Sequence, residues 1–253
     1  MRAMALQSGS NGNCIYVQAG RTRLLFDAGI SGKQAQLRLA GTGVDIHGCG
    51  GLFISHDHVD HMKSAGIFQR KFAVPLHVTE RTLAAGERHR LGKLGPVQHF
   101  QRGDRVTVGD VVVETHPTPH DGADGSCFVV EAEGKRLGVL TDLGFVFSDL
   151  RKLIPTLDAV ILESNYDADM LAAGPYPEDL KRRIRGEGGH ISNTEAAELV
   201  ARFGSRLQWV CLAHLSRDNN TPQRALGTHR QIVGADRPVH LATRYAPSDM
   251  LSL

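Results

Sequence analysis

Two features are missing from this sequence of 253 residues: a long apolar run and closely spaced cysteines. No apolar segment approaches the roughly 20 residues that cross a bilayer, and the N-terminal MRAMALQSGS lacks the apolar core of a secretion signal. Cys14, Cys49, Cys127 and Cys211 are far apart and form no CxxC pair. Isolated cysteines of this kind are typical of buried thiols in a reducing compartment. We therefore expect a cytoplasmic protein with no membrane association and no disulfide framework.

The sequence also has little net charge and no low-complexity segment. Its formal charge of +2 neither requires nor excludes a nucleic-acid partner, so any basic surface must be local. The 28 glycines and 10 prolines are scattered along the chain and mark turns, not a disordered tract. No internal repeat or linker divides the chain, and its length suffices for a sizeable core. We therefore predict a single domain that spans residues 1–253.

The order of the predicted elements indicates an α/β fold. Strand pairs dominate the first half, for example CIYVQ with TRLLFDAG (14–29) and the hairpin CFVVEAEGKRLGVLTDLG (127–144). Strands and helices alternate later, where the helix TEAAELVARF (194–203) lies between the strands 157–164 and 207–215. A plain doubly wound sheet would not contain so many hairpins. The pattern therefore predicts a four-layer αββα sandwich, in which two mixed sheets pack together and the helices lie outside.

The sharpest local pattern is SHDHVDH (55–61), which comes directly after an apolar strand. Alternate side chains of an extended segment point the same way, so His56 and His58 can bind one metal ion. Asp60 and His61 follow where the chain turns into a helix, and they can face a second ion. Imidazole and carboxylate groups suit Zn²⁺ or Mn²⁺. Four potential ligands in six residues are unusual for a polar loop, because unpaired ionisable groups rarely cluster.

Further candidate ligands stand at the ends of other apolar strands. PTPHDG contains His120, and His116 lies four residues earlier as the competing choice. VLTDLG contains Asp142, whose carboxylate could bridge two cations, and VCLAHLS contains His214. Because each of these residues follows an apolar strand, we expect them to converge at one edge of a sheet.

The combined pattern, HxHxDH followed by a histidine, a TD pair and a C-terminal histidine, resembles the metallo-β-lactamase fold superfamily over nearly the whole chain. The resemblance implies an αββα sandwich with two divalent metal ions, Mn²⁺ or Zn²⁺, at the sheet edges. It implies one ion held by His56, His58 and His120, the other held by Asp60, His61 and His214, and Asp142 as the bridge. True β-lactamases have a cysteine at the Asp142 position, and flavodiiron oxidoreductases have a glutamate at the His58 position. We therefore expect neither antibiotic hydrolysis nor redox chemistry. The remaining expectation is hydrolysis of another class of substrate.

The nuclease branch of this superfamily provides a closer resemblance. GGHIS, with His190, resembles the loop that opens a helix in tRNase Z-type nucleases, and VILESNY, with Glu163, resembles the position of their partner glutamate. Ser192 and Glu195 have the spacing of a capping box, which predicts that a helix begins just after His190. SGSNGNC and HLSRDNN further resemble the YycJ (WalJ) group, small bacterial proteins associated with nuclease activity on DNA.

These resemblances predict a metal-dependent phosphodiester hydrolase, with a DNA nuclease of 5′→3′ exonuclease activity as the favoured reaction. A hydroxide bound by the two metals would attack the phosphate. The predicted catalytic residues are Asp60, which is also a metal ligand, His190 and Glu163. His190 would act on the phosphate or the leaving oxygen, and Glu163 would hold it protonated and oriented. The basic run KRRIR (181–185) could guide the nucleic-acid backbone by charge or form a solvated helix face.

Three other roles remain open from the sequence. A thioester or lactone hydrolase of the glyoxalase type would use the same metals but would not need the Glu163–His190 pair. A hydrolase of cyclic nucleotides or other small phosphodiesters would share both the metals and the pair. A binding module that kept the fold would be expected to lose metal ligands, and this chain has lost none.

Overall fold

The computed structural model describes all 253 residues, and its strands form two sheets of seven strands each. The strands of the first half are β1 (Arg2–Gln7), β2 (Cys14–Ala19), β3 (Thr22–Phe26), β4 (Gly51–Phe53), β5 (Leu76–His77), β6 (Val97–Gln98), β7 (Arg105–Val108) and β8 (Val111–Pro117). The remaining strands are β9 (Ser126–Ala132), β10 (Lys135–Leu140), β11 (Ala159–Glu163), β12 (Trp209–Ala213), β13 (Val239–Leu241) and β14 (Leu251–Ser252).

Nine α-helices connect these strands. They are α1 (Gly32–Ala40), α2 (Val59–Met62), α3 (Ala65–Phe72), α4 (Glu80–Gly86), α5 (Ser148–Leu153), α6 (Ala168–Ala173), α7 (Glu178–Arg185), α8 (Asn193–Phe203) and α9 (Pro222–Val233). The longest helix, α9, has 12 residues, and none of the nine is long and apolar enough to cross a membrane. The four cysteines are all buried, and none forms a disulfide.

Both sheets are mixed. The first sheet has the order β14-β1-β2-β3-β4-β5-β6, with antiparallel pairs up to β3 and parallel pairs from β3 to β6. The second sheet has the order β13-β12-β11-β10-β9-β8-β7, with antiparallel pairs from β7 to β10 and parallel pairs from β10 to β13. Tight turns join β2 to β3, β7 to β8 and β9 to β10, whereas parallel neighbours need a crossover, which α8 and α9 provide for β12 and β13. The predicted combination of hairpins and later alternation is confirmed.

The core consists of three apolar layers, because side chains alternate along each strand. In β1, Ala3 and Ala5 face the second sheet, whereas Met4 and Leu6 face the helices. A cluster of 23 buried residues lies between the sheets, and clusters of 22 and 19 buried residues lie between the sheets and their helices. Three apolar layers require four structural layers, so the predicted αββα sandwich is confirmed.

The helical segment that follows the HxHxDH pattern divides into α2 and α3. The amide of Ser64 donates to the carbonyl oxygen of Ala28 (2.9 Å), and the carbonyl oxygen of Asp60 accepts from the amide of Asn13 (2.7 Å). In a continuous helix, the Ser64 amide and the Asp60 carbonyl would bond to each other. These contacts therefore interrupt the helix and anchor the HxHxDH segment to the loops that flank β1 and β3.

Phe128 of β9 links the two sheets, and its loss should destabilise both. Its ring centroid lies 5.2 Å from that of Phe26 and 5.8 Å from that of Phe53, both in the first sheet. We expect Phe128→Ala to lower the free energy of unfolding by about 3–5 kcal/mol, since it leaves a cavity in the shared core. Urea unfolding in EDTA measures this without a contribution from bound metal.

Leu37→Ala is the matched control, because this side chain is 62% exposed. It should change the free energy of unfolding by less than about 0.5 kcal/mol. A loss below about 1 kcal/mol for Phe128→Ala would mean that the two sheets do not depend on a shared aromatic core.

Candidate metal centre

The seven predicted metal ligands meet at one edge of the two sheets. His56 follows β4 of the first sheet, whereas His120, Asp142 and His214 follow β8, β10 and β12 of the second sheet. These three strands run in the same direction, because β8 and β10 are each antiparallel to β9 and β10 to β12 are parallel. Their carboxyl ends therefore open onto the same side, opposite the end of β4.

The first group of ligands consists of His56, His58 and His120, whose ligand atoms lie within 4.8 Å of one another. Nδ1 of His58 is 3.3 Å from Nε2 of His120. Nδ1 of His56 is 2.9 Å from the hydroxyl of Ser55, and Nδ1 of His120 donates to the carbonyl oxygen of Gly189 (2.7 Å). Because Nδ1 is occupied in both of these rings, Nε2 is left to bind an ion.

The second group consists of Asp60, His61 and His214, whose ligand atoms also lie within 4.8 Å of one another. Oδ2 of Asp60 lies 3.5 Å from Nε2 of His61 and 3.5 Å from Nε2 of His214. Nδ1 of His61 donates to Oδ2 of Asp27 (2.7 Å), which leaves its Nε2 facing Asp60. The two groups have the same membership as the two metal sites that the resemblance implies.

Asp142 lies between the two groups. Its Oδ1 is 3.7 Å from Nε2 of His120 and 3.6 Å from Nε2 of His214, and its Oδ2 is 3.3 Å from Nε2 of His61. Asp142 and His214 both have positive φ angles, 57° and 54°, which are uncommon for residues with a side chain and cluster at functional sites. The backbone thus turns both side chains back toward the open edge of the sheet.

Buried polar atoms without a partner indicate that this cluster fits divalent cations. Nε2 of His56, Nε2 of His214 and Oδ2 of Asp142 are inaccessible to water, and none has a hydrogen-bond partner. Buried polar atoms are almost always paired, because leaving one unpaired costs about 1–3 kcal/mol. All three atoms are of the type that Zn²⁺ or Mn²⁺ binds, so the donor set fits such ions.

The charges within the cluster favour ionised carboxylates. Burial opposes ionisation of Asp142, but the facing His214 and His61 outweigh it and hold the pKa of this carboxyl well below its usual range. Burial likewise opposes ionisation of Asp60, yet His61 and His214 lower its pKa. In turn, burial would lower the pKa of His214, but Asp142, Asp60 and Glu163 raise it to about 10. The buried carboxylates therefore hold positive charge beside them at neutral pH, and a metal ion bound by His214 would displace the proton from its ring.

Asp27 supports the cluster from below, and the sequence analysis did not identify it. Its Oδ1 accepts from the amide and from the hydroxyl of Ser55 (2.8 Å each), and its Oδ2 accepts from His61. Next to it, a side chain at Gly29 would lie 1.6 Å from the carbonyl oxygen of Asp60, so only glycine fits there. A sequence signal existed, since LLFDAG places this aspartate directly after an apolar strand, as VLTDLG does for Asp142.

The predicted Glu163–His190 pair is present at the same edge. Nδ1 of His190 lies 2.6 Å from Oε1 of Glu163, and Oε2 of Glu163 accepts from the amides of Leu143 (2.9 Å) and Ile191 (3.4 Å). Burial opposes ionisation of Glu163, but His190 lowers its pKa to about 2. Just after this loop, α8 begins with the predicted capping box of Ser192 and Glu195.

The competing histidine lies elsewhere. Nε2 of His116 is 3.4 Å from a carboxylate oxygen of Glu114, and His116 belongs to none of the groups of potential metal ligands. His116 lies within β8, whereas His120 lies in the loop beyond its end. The structure therefore brings His120 into the cluster and leaves His116 out.

The basic run in α7 divides into residues with different environments. Lys181 is buried, and Arg182 is exposed and pairs with Asp179 one turn earlier. Arg183 pairs with Asp121 (2.7 Å), whose other carboxylate oxygen is 3.3 Å from Nε2 of His58. Only Arg183 lines the cavity at the cluster, so the run is not a uniform basic stripe.

A cavity of about 340 Å³ opens above the cluster. Its lining consists of Ser10, His58, Val59, Asp60, Arg88, His89, His120, Asp142, Arg183, His190 and His214. Arg88 pairs with the buried carboxylate of Asp57 (2.7 Å), so its guanidinium is fixed at the rim. Arg88 and Arg183 give the rim a cationic character above a floor of candidate metal ligands. This arrangement suits an anionic substrate that reaches a metal centre.

The sequence of this chain matches a known family and a relative with a named activity. Residues 22–214 match the family model of the beta-lactamase superfamily domain. The chain is 35% identical over 231 residues to the exodeoxyribonuclease YycJ of Bacillus anthracis, which covers 90% of this chain and 87% of that protein.

Two solved structures share the fold at low sequence identity. The Zn²⁺-bound PqqB of Methylobacterium extorquens has a TM-score of 0.74 at 18% identity, and both chains are covered in full. The short form of human tRNase Z has a TM-score of 0.67 at 18% identity, again over the full length of both chains. At this level of identity the likeness concerns the fold alone.

Metal content should depend on the residues that the cluster brings together. We expect about two divalent ions per chain after equilibration with Mn²⁺ or Zn²⁺, as measured by inductively coupled plasma mass spectrometry. His58→Ala and Asp142→Ala should each reduce that content, because each removes one of the proposed ligands. His116→Ala is the matched control and should retain the wild-type content. If both His58→Ala and Asp142→Ala kept it as well, the ligand assignment would be wrong.

Proposed function

The chain belongs to the metallo-β-lactamase superfamily and is a hydrolase of that fold, and we propose that it is a metal-dependent exodeoxyribonuclease. The observation that carries the proposal is the 2.6 Å contact between Glu163 and His190 beside the metal-ligand cluster. The relative of 35% identity that is named an exodeoxyribonuclease supports DNA as the substrate. We take 5′→3′ as the direction of cleavage, as the resemblance to the YycJ group implies.

Two divalent ions, Mn²⁺ or Zn²⁺, would occupy the two ligand groups. His56, His58 and His120 would hold one ion, Asp60, His61 and His214 would hold the other, and Asp142 would contact both. Ions bound there would neutralise phosphate charge and lower the pKa of a water molecule from 15.7 toward about 7. Asp60 would contribute to catalysis by fixing the second ion next to the cavity, which its side chain lines.

His190 would serve the leaving group. Its Nδ1 donates to Glu163, so Nε2 is the nitrogen left for the substrate, and the ring lines the cavity above the cluster. A proton on Nε2 can pass to the leaving oxygen when the bond between phosphorus and that oxygen breaks. Glu163 is fixed by two backbone amides, so it acts as a positioning residue that sets the orientation and tautomer of His190.

The cationic rim would position the DNA backbone. Arg88 and Arg183 are held by Asp57 and Asp121, so their guanidinium groups are ordered before a substrate arrives. Guanidinium groups bind phosphate oxygens in a bidentate manner, which suits a rim that must select a phosphodiester. A thioester group carries no such charge, and its thiolate leaving group needs no proton, so neither the rim nor the Glu163–His190 pair favours thioester hydrolysis.

The substrate class can be tested with one panel of substrates. We expect the Mn²⁺- or Zn²⁺-loaded protein to shorten end-labelled DNA from the 5′ end and to cleave bis-p-nitrophenyl phosphate. Salt should weaken the binding of long DNA more than that of the small diester, because only long DNA makes many phosphate contacts. Rapid hydrolysis of a thioester or lactone, with DNA and model diesters left intact, would support the hypothesis of a glyoxalase-type hydrolase instead.

Replacement of His190 should separate catalysis from metal binding. We expect His190→Ala to retain both metals and the fold but to lose about 10²–10⁴-fold in kcat on DNA. The loss should be smaller for nitrophenyl esters, whose leaving group is stable without a proton. Glu163→Gln should resemble His190→Ala, and the double variant should be little worse than either, because the two side chains act as a unit.

The control for this series is His116→Ala, a histidine outside the cluster. It should show wild-type rates on every substrate. Wild-type turnover of DNA by His190→Ala would remove the proposed role of the pair, and metal loss in His190→Ala would mean that the ring is a ligand.

A further inference from the structure

A second cavity adjoins the metal centre. It has a volume of about 460 Å³, which is within the roughly 300–1,000 Å³ that is typical of small-molecule sites. Its apolar lining includes Leu215, Pro222, Leu241 and Ala242, and the exposed Tyr245 also lines it. No residue of the metal-ligand cluster lines it, so it is distinct from the cavity described above.

Arg244 connects the two cavities. Leu215, on the wall of the second cavity, directly follows His214 of the metal cluster. The guanidinium of Arg244 donates to the carbonyl oxygen of Leu215 (2.9 Å) and to the hydroxyl of Ser10 (3.3 Å). Ser10 lines the cavity above the metal ligands. A ligand that extends from the metal centre into the second cavity therefore passes Arg244.

The charge at this junction favours an anionic group. Arg88 and Arg183 each pair with an aspartate, whereas Arg244 forms no ion pair. Arg217 also lines the second cavity, but it pairs with Asp218 (3.0 Å), so Arg244 is the unpaired guanidinium at this junction. An unpaired guanidinium next to a phosphodiester-cleaving centre is suited to the next phosphate of a strand.

Tyr245 supplies an exposed aromatic surface on a fixed backbone. It is 72% exposed, more than any other large apolar side chain of the chain. Its carbonyl oxygen accepts from Arg38 (2.8 Å), and the side chain of Arg38 also donates to the carbonyl oxygen of Leu6 in β1 (2.8 Å). An exposed aromatic ring beside basic groups is the usual surface on which single-stranded nucleic acids stack their bases.

We propose that the second cavity binds a nucleobase of the substrate strand that is separated from the scissile phosphate by one further phosphate. Tyr245 stacks on this base, the apolar wall of Leu215 and Leu241 covers its edge, and Arg244 contacts the phosphate between the base and the metal centre. The inference rests on the proposed nuclease function and adds a base-binding subsite to it. Because every base has an aromatic face, the subsite selects nucleic acid over simple diesters without selecting a sequence.

The test compares substrates with and without a base. The probes are single-stranded DNA, thymidine 5′-(p-nitrophenyl phosphate) and bis-p-nitrophenyl phosphate, which has no base. We expect Tyr245→Ala to lower the ratio of kcat/KM on DNA to that on bis-p-nitrophenyl phosphate by about 5- to 150-fold, mostly through KM. Tyr245→Phe should restore the ratio, because stacking needs the ring and not the hydroxyl.

An abasic nucleotide gives a second readout that a general loss of stability would not change. Placed at each position along the strand in turn, it should slow the wild-type enzyme at one position near the cleaved bond. Tyr245→Ala should show no such position, since the base and the ring act as one pair. Ile67→Ala is the control, since Ile67 is an exposed apolar residue of α3 that is absent from the lining of both cavities, and it should behave as wild type.

The outcomes separate the subsite from the nuclease function itself. If wild-type protein cleaves DNA, but Tyr245→Ala keeps the wild-type ratio and the wild-type response to abasic positions, the base-binding subsite is refuted and the nuclease function stands. If wild-type protein cleaves bis-p-nitrophenyl phosphate but not DNA, the nuclease function fails. In that case, a loss by Tyr245→Ala on the thymidine ester alone would show a mononucleotide site.

Discussion

One electrostatic constraint shapes this structure: the carboxylates of Asp60 and Asp142 lie against imidazoles at the edge of two sheets, largely away from solvent. Buried charges are costly unless they are paired, so each element around the cluster is arranged to face or to support them. Asp27 fixes the ring of His61 from below, and the loop before α8 fixes His120 through the carbonyl oxygen of Gly189. The same arrangement leaves Nε2 of His56, Nε2 of His214 and Oδ2 of Asp142 buried without hydrogen-bond partners. A divalent cation bound there would contact these atoms.

The fold separates the rigid part of the site from the part that meets the substrate. Four of the proposed metal ligands, His56, His120, Asp142 and His214, follow the ends of strands, and the strands are held by apolar layers on both faces of each sheet. The groups that would contact DNA stand on connecting segments instead: Arg88 after α4, His190 before α8 and Tyr245 after β13. Loops placed by a rigid scaffold can vary in sequence without disturbing the strands, so contacts with the substrate can change while the proposed metal ligands stay in place.

The pairing of Glu163 with His190 links chemistry to the fold. Glu163 is the last residue of β11. Its carboxylate accepts hydrogen bonds from the backbone amides of Leu143, in the loop after β10, and Ile191, in the loop before α8. A carboxylate held by backbone amides cannot turn away, so the imidazole that it orients is fixed relative to the metal ligands on the neighbouring strands β10 and β12. This geometry supports the proposed cleavage of a phosphodiester, because His190 would stand beside the two proposed metal sites with Nε2 directed to the substrate.

The sequence by itself determined the features that depend on residues close together in the chain. The HxHxDH segment, the capping box after His190 and the alternation of strands are local patterns, because side-chain direction repeats every two residues in a strand. The αββα order and the choice of strand-end ligands followed from those patterns and from family resemblance. Tertiary structure alone decided which distant groups meet: Asp27 with His61, His120 over His116, and Arg244 with Ser10, 234 residues apart. No local pattern encodes such contacts, because they arise only when two sheets pack and bring loops from both ends of the chain to one edge.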